Sequence, residues 1–119
     1  MTEEQKALLL KDLCARLPYG VKVSTPDDVS RTITRMNIDR NLIEVGNYID
    51  DVYVLSDIKP YLFPLSSMTE EQEKEWRYTL SSDGNITYDT VDWLHKNHFD
   101  YQGLIPMGLA IDATGLNIY

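Results

Sequence analysis

Three ionisable side chains near the carboxyl end are spaced so that they could meet on one side of a helix. Asp92, His95 and His98 stand three residues apart, and residues three apart share a helix face. Imidazole and carboxylate groups bind zinc and related metals, so two of them could hold one ion. A metal-dependent hydrolase that also uses Asp100 is therefore one hypothesis. The sequence has no His-Glu-x-x-His pattern and no further ligand at a familiar spacing, so we assign no metal ligand.

The common motifs of catalysis and cofactor binding are missing from the sequence. It contains no Gly-x-Ser-x-Gly, no histidine close to Cys14, and no glycine-rich phosphate or dinucleotide fingerprint. We therefore assign no catalytic residue and no cofactor, and we favour a protein that is not an enzyme. Cys14 lies among leucines and is interpreted as a small core residue, and an unpaired cysteine fits a reducing cytoplasm.

The charge distribution disfavours direct binding to nucleic acid. The net charge is −8, and residues 66–119 contain 9 Asp/Glu against 3 Lys/Arg, whereas nucleic-acid binding needs a basic face. Arg31 and Arg35 come closest to a basic cluster; they could hold an anionic ligand or belong to a solvated strand face.

No apolar run approaches the length of a membrane span and the amino-terminal residues are acidic, so we expect a cytoplasmic protein with no membrane segment.

The sequence is rich in aromatic residues that carry a polar group. Its eight tyrosines and two tryptophans are types enriched at interfaces and ligand pockets, although core packing also explains them. Proline, tyrosine, phenylalanine and histidine concentrate in Lys59–Met68 and His98–Gly103, and we expect any site where these segments meet. The candidate ligand-binding residues are Arg31, Arg35, Tyr61, His98 and Tyr101.

Helix and strand patterns indicate how these residues are positioned. Residues 2–17 predict a helix with a Thr2–Gln5 capping box and a leucine-rich face. Residues 21–65 predict short strands joined by tight turns, with a bulge between Ile33 and Met36. Further segments are expected at Leu42–Val45, at Tyr48–Leu55 after a turn at Gly46–Asn47, and, as an extended run, at Ile58–Leu65. Proline at 60 and 64 disfavours a central strand in that last run.

The carboxyl-terminal half predicts two helices. Thr69 begins a second capping box, and the helix after it has a thin apolar stripe that is typical of a surface helix. Asp89 or Thr90 is expected to cap a third helix that runs to about Asn97. We therefore expect one α+β domain over residues 1–119, with an N-terminal helix, a small antiparallel sheet or SH3-like barrel, and two C-terminal helices.

Two segments of the sequence resemble a family of short, uncharacterised proteins of gut anaerobic bacteria and their phages and mobile elements. They cover about a quarter of the chain and comprise Lys59–Leu62 with Pro64–Glu71, and Asp92–Leu94 with His98–Tyr101 and Gly103–Ile105. Arginine is common in that family where this chain has Phe63 and Gln102, so no ionic role is expected there. The resemblance implies a cytoplasmic accessory protein of phage or mobile-element origin, and it transfers no catalytic residue.

These observations favour a small non-enzymatic binding protein that interferes with a host process. It would bind a host protein or sequester a small ligand, and it could form a homo-oligomer. An acidic mimic of nucleic acid that inhibits a DNA-binding enzyme is the alternative within binding proteins, and the metal-dependent hydrolase is the alternative among enzymes.

Overall fold

A computed structural model gives the fold of the chain and describes residues 1–46 and 51–119. The fold is α+β, as the sequence predicts. The elements in chain order are α1 (Glu3–Arg16), β1 (Lys22–Ser24), β2 (Ser30–Asn37), β3 (Leu42–Val45), β4 (Val52–Val54), β5 (Lys59–Pro64), α2 (Glu70–Thr79), α3 (Tyr88–Lys96), β6 (Phe99–Asp100) and β7 (Ile111–Asp112). Across the described ranges, no helix has both the length and the apolar character needed to cross a bilayer.

Each of the three α-helices begins at a threonine whose side chain accepts a hydrogen bond from the backbone three residues on. Thr2 and Thr69 form the predicted capping boxes with Gln5 and Gln72. The expected cap of α3 at Asp89 or Thr90 is wrong, because Thr87 is the cap and Thr90 is its partner. The Thr90 hydroxyl, at the third helical position, accepts a hydrogen bond from the backbone N–H of the cap residue, as the Gln side chains do in the other two helices.

The sheet is open and has the strand order β4-β3-β2-β1-β5-β6, with β7 also paired to β5. Strands β1 to β5 pair antiparallel, whereas β6 and β7 run parallel to β5. The predicted bulge is confirmed, since the register of β2 against β3 shifts between Ile33 and Arg35. Gly46 lies in a turn with a positive φ of 66°, as expected, whereas Asn47 and the start of the Tyr48–Leu55 strand lie outside the described residues, which include β4 from that segment.

Strand β5 is central, contrary to the expectation from its prolines. It pairs with three strands, namely β1, β6 and β7. Pro60 and Pro64 stand near its two ends, and the groups between them keep their hydrogen bonds: Phe63 N–H donates to the His98 carbonyl at 2.8 Å. Pro60, Tyr61 and Leu62 are all buried, which is the pattern of a strand covered on both faces.

The core lies between α1 and the sheet. Leu9 and Leu13 of α1 belong to one apolar cluster with Val23, Ile33 and Ile43 of the first three strands. Their spacing of four residues places both leucines on one helix face, and the sheet residues alternate with less buried neighbours. α1 therefore covers one face of the sheet and also contacts α3, which brings the helix that carries His95 next to the N-terminal helix.

Candidate functional site

The segments Lys59–Met68 and His98–Gly103 meet through the parallel pairing of β5 with β6. Phe63 is opposite Phe99 in the register, and their ring centroids are 6.2 Å apart. Phe99 stacks on Trp93 at 5.5 Å, and Phe63 contacts Tyr119 at 5.9 Å. The junction is therefore a continuous row of aromatic rings, with the backbone of β5 running through it.

His98 lies at the end of this row and is held as a neutral base. Its imidazole stacks on Tyr119 with 3.6 Å between ring centroids, and its backbone has a positive φ of 62°. Burial, with smaller contributions from Arg16 and Lys22, lowers the pKa of His98 from 6.5 to about 4. Its buried Nδ1 has no hydrogen-bond partner among the described residues. An uncharged imidazole that is packed against a ring contributes to the fold and is poorly placed to transfer protons.

Tyr119 fastens the carboxyl-terminal segment to the centre of the sheet. Its hydroxyl donates to the Tyr61 carbonyl at 2.8 Å and accepts from the Lys22 N–H at 2.9 Å. Burial raises the pKa of Tyr119 to about 12. Tyr61 thus joins the predicted junction through its backbone, while its side chain is buried. No periodic pattern pointed to Tyr119, because this residue follows β7 and lies in no helix or strand.

A second polar cluster is buried between α1 and the segment after β6. Arg16 Nε donates to Asp12 Oδ2 at 2.8 Å, and neither side chain is exposed. Arg16 Nη2 also donates to the Phe99 carbonyl at 2.5 Å, and its guanidinium lies 5.8 Å from the Tyr101 ring centroid. Gln102 Nε2 donates to Asp12 Oδ1 at 3.2 Å. Asp12 and Arg16 were not predicted from the sequence, although their four-residue spacing within the leucine face of α1 marks them as an inward-facing pair.

His95 connects this cluster to α3. Its Nε2 lies 2.7 Å from the Tyr101 hydroxyl, and the residue is buried. Burial and the nearby Arg16 lower the pKa of His95, and burial raises the pKa of Asp12 against the opposing effect of Arg16. The cluster contains acid, base and hydroxyl groups, but its ion pair is sealed from solvent, so its geometry favours a structural role.

The two histidines do not converge on an ion. His95 bonds to Tyr101 while His98 stacks on Tyr119, and Asp92 is exposed. Asp100 accepts from the backbone N–H groups of Leu104 and Ile105 at 3.0 and 2.9 Å. In residues 1–46 and 51–119, no group of three or more His, Cys, Asp or Glu side chains is arranged to hold a metal ion.

Arg31 and Arg35 lie on different faces of the sheet. Arg31 is opposite the buried Val23, whereas Arg35, beyond the bulge, is exposed and opposite Glu44. Arg31 donates to Asp27 at 2.7 Å and approaches Asp51 at 4.0 Å. These carboxylates already neutralise Arg31, and Arg35 shares its open groove with Glu44. The structure therefore does not bring the two arginines together around one ligand.

Two surface pockets flank the segment between β5 and α2. The smaller has a volume of about 220 Å³ and touches the aromatic row; it is lined by Phe63, Ser67, Thr69, Gln72, Phe99, Thr114 and Gly115. The larger has a volume of about 370 Å³ and is lined by Leu65, Ser66, Met68, Glu73 and Trp76. The smaller volume falls below the range of roughly 300–1,000 Å³ that is typical of small-molecule sites.

The α2–α3 hairpin (residues 70–96) is largely exposed along α2 and the loop that follows it. None of the residues of α2 is buried, and its apolar stripe at Trp76 is only half-buried, as expected of a surface helix. Tyr78, Ile86 and Tyr88 are 89%, 67% and 92% exposed. Two bonds to the Thr79 carbonyl, from the hydroxyls of Thr87 and Thr90, hold α2 against the start of α3.

No protein-family model, no curated protein and no solved structure matches the chain.

Proposed function

We propose that this chain is a small non-enzymatic binding protein and that its α2–α3 hairpin is the contact surface for a basic protein partner. The observation that carries the proposal is the exposure of the hairpin. A ten-residue helix is marginally stable in water unless it packs an apolar face, yet no residue of α2 is fully buried and Trp76 is only half-buried. Contact with a partner would supply the missing burial.

Aromatic rings and charge favour a protein partner that is positively charged. Tyrosine is enriched in the anchor residues of interfaces, and Tyr78 and Tyr88 hold their rings almost fully in solvent. Residues 70–96 contain seven Asp/Glu and three Lys/Arg, a net charge of −4. Such a surface accelerates encounter with a basic partner and repels an acidic one.

The alternative binding roles receive less support from the contacts of the hairpin. A mimic of nucleic acid needs a dense array of free carboxylates, but Glu73 pairs with Arg77 and Glu75 accepts from Trp93 Nε1. Sequestration of a small ligand at the aromatic junction would have to use a pocket of about 220 Å³. The resemblance to phage and mobile-element proteins suggests that the partner belongs to the host and that the encounter takes place in the cytoplasm.

Affinity capture from cells of the source organism tests this proposal. We expect the tagged chain to enrich a basic protein at low salt, with less at high salt because screening weakens exposed charges. The variant Tyr78→Ala/Tyr88→Ala should lose the partner, whereas Tyr19→Ala, a change of the same type at an exposed ring outside the hairpin, should keep it. Native mass spectrometry of the same sample shows whether a second copy of the chain is also bound.

The proposal fails if the double variant enriches the same protein as the unmodified chain, or if no protein is enriched. Enrichment of an enzyme that acts on DNA, with competition by free DNA, would replace it with the mimic hypothesis. A stoichiometric metal ion in the purified protein would favour the hydrolase.

A further inference from the structure

The larger pocket beside α2 combines three kinds of wall. Its lining residues are the apolar Leu65 and Met68 with Ser66 between them in sequence, and, from α2, the indole-bearing Trp76 and the carboxylate-bearing Glu73. Glu73 and Trp76 are three residues apart, so α2 presents both on adjoining parts of one face. The pocket volume of about 370 Å³ accommodates one long side chain.

These walls match the chemistry of an arginine side chain. A guanidinium stacks on an indole by cation–π attraction and bonds to a carboxylate with two parallel N–H groups. The methylene stem of arginine packs against apolar surface while its charged head stays polar. We propose that this pocket receives an arginine side chain from the basic protein partner, an inference that rests on the proposed function and adds the chemical class of the anchor.

The chain itself shows that Glu73 accepts a guanidinium. Arg77 Nη2 donates to Glu73 Oε1 at 2.6 Å, and the two side chains are 68% and 49% exposed. An ion pair this exposed is weak, because water competes for both groups. A partner arginine that also stacks on Trp76 and contacts Leu65 makes more favourable contacts than Arg77 does, so it can displace Arg77 from Glu73 into solvent.

Nuclear magnetic resonance on the ¹⁵N-labelled full chain tests the pocket with small probes. We expect N-acetyl-arginine amide to shift the Trp76 indole N–H signal and to leave that of Trp93 unchanged. N-acetyl-norleucine amide, which keeps the stem and lacks the charge, should bind more weakly by about fivefold or more, given the size of cation–π and carboxylate contributions.

Three variants on the exposed surface of α2 complete the test. Glu73→Gln should weaken binding of the arginine amide by about fivefold or more, whereas Glu71→Gln removes the same charge from the same helix and should change it less than twofold. Arg77→Gln should tighten binding about twofold or more, because it frees the Glu73 carboxylate. Backbone signals of each variant show directly whether the fold is retained.

The outcomes separate this inference from the function on which it rests. Equal binding of the arginine and norleucine amides, equal effects of Glu73→Gln and Glu71→Gln, or no shift at Trp76 would each overturn the arginine pocket. If partner capture still depends on Tyr78 and Tyr88 in that event, the proposed function stands without it. If the arginine amide binds as expected but partner capture survives the tyrosine changes, the pocket binds arginine, and the proposed contact of the partner with Tyr78 and Tyr88 is wrong.

Discussion

Replacement of Arg16 by methionine is expected to be the most damaging single change in the described fold. Arg16 and Asp12 are both fully buried and 2.8 Å apart. Without the guanidinium, the Asp12 carboxylate keeps the 3.2 Å bond from Gln102 as its one side-chain partner in the described part of the chain, and the Phe99 carbonyl loses the Arg16 donor. The variant therefore leaves a buried charge without its counter-ion.

The magnitude follows from the burial of this pair. Removing one partner of a buried ion pair costs about 3–5 kcal/mol, a large part of a total stability of about 5–15 kcal/mol. Burial already raises the pKa of Asp12 in spite of Arg16, which indicates that desolvation outweighs the attraction. Replacing both residues should therefore be much less costly, so Asp12→Leu/Arg16→Met should recover about 2 kcal/mol or more relative to Arg16→Met.

Urea unfolding at neutral pH, followed by tryptophan fluorescence and circular dichroism, measures these differences in one double-mutant cycle. Arg77→Met is the matched control, because Arg77 makes the same four-residue ion pair with Glu73 in solvent and should cost less than about 1 kcal/mol. The reasoning is refuted if Arg16→Met costs no more than Arg77→Met, or if the double variant is no more stable than Arg16→Met alone.

Three further predictions concern single contacts. The pKa of His98 is lowered to about 4 in the folded chain, so on acidification the unfolded chain takes up a proton at this histidine before the folded chain does. The free energy of unfolding should therefore fall by up to about 3 kcal/mol as the pH drops from 6.5 to 4. His98→Asn, which tolerates the positive φ, should flatten this pH dependence, and equal slopes would contradict the assignment. Tyr119→Phe should lower the free energy of unfolding in urea by about 1–2 kcal/mol, because two backbone groups lose their partner, whereas Tyr78→Phe should be neutral. Similar losses in the two variants would show that the hydrogen bonds of the Tyr119 hydroxyl do not stabilise the fold. Thr87→Ala should lower the midpoint more than Thr2→Ala, since only the Thr87 hydroxyl also bonds to a second helix, and an equal or smaller loss would show that this bond adds nothing.

Local patterns predicted the helices and most strands because their causes are local. The capping boxes at Thr2 and Thr69 depend on residues three positions apart, and the bulge in β2 follows from a slip between Ile33 and Met36. Thr87 was missed as a cap because Asp89 and Thr90 offer equally good side chains within the same turn.

Long-range contacts account for what the sequence could not predict. The place of β5 at the centre of the sheet depends on parallel partners about 35 and 50 residues away in sequence. The row of rings at the predicted junction needed Tyr119 as well as His98, and no spacing rule relates those two positions. The charges of Arg31 and Arg35 were visible in the sequence, but their separation onto two faces depends on the register of β2.

The bonds of Tyr119 constrain the timing of folding during synthesis. Its hydroxyl joins backbone groups of Lys22 and Tyr61, which leave the ribosome long before it. Strands β1 and β5 can pair earlier, but the central sheet lacks its last fastening until residue 119 has emerged from the exit tunnel. A nascent chain that stalls shortly before this point would expose the aromatic row, and we expect it to be a preferred substrate for chaperones and proteases.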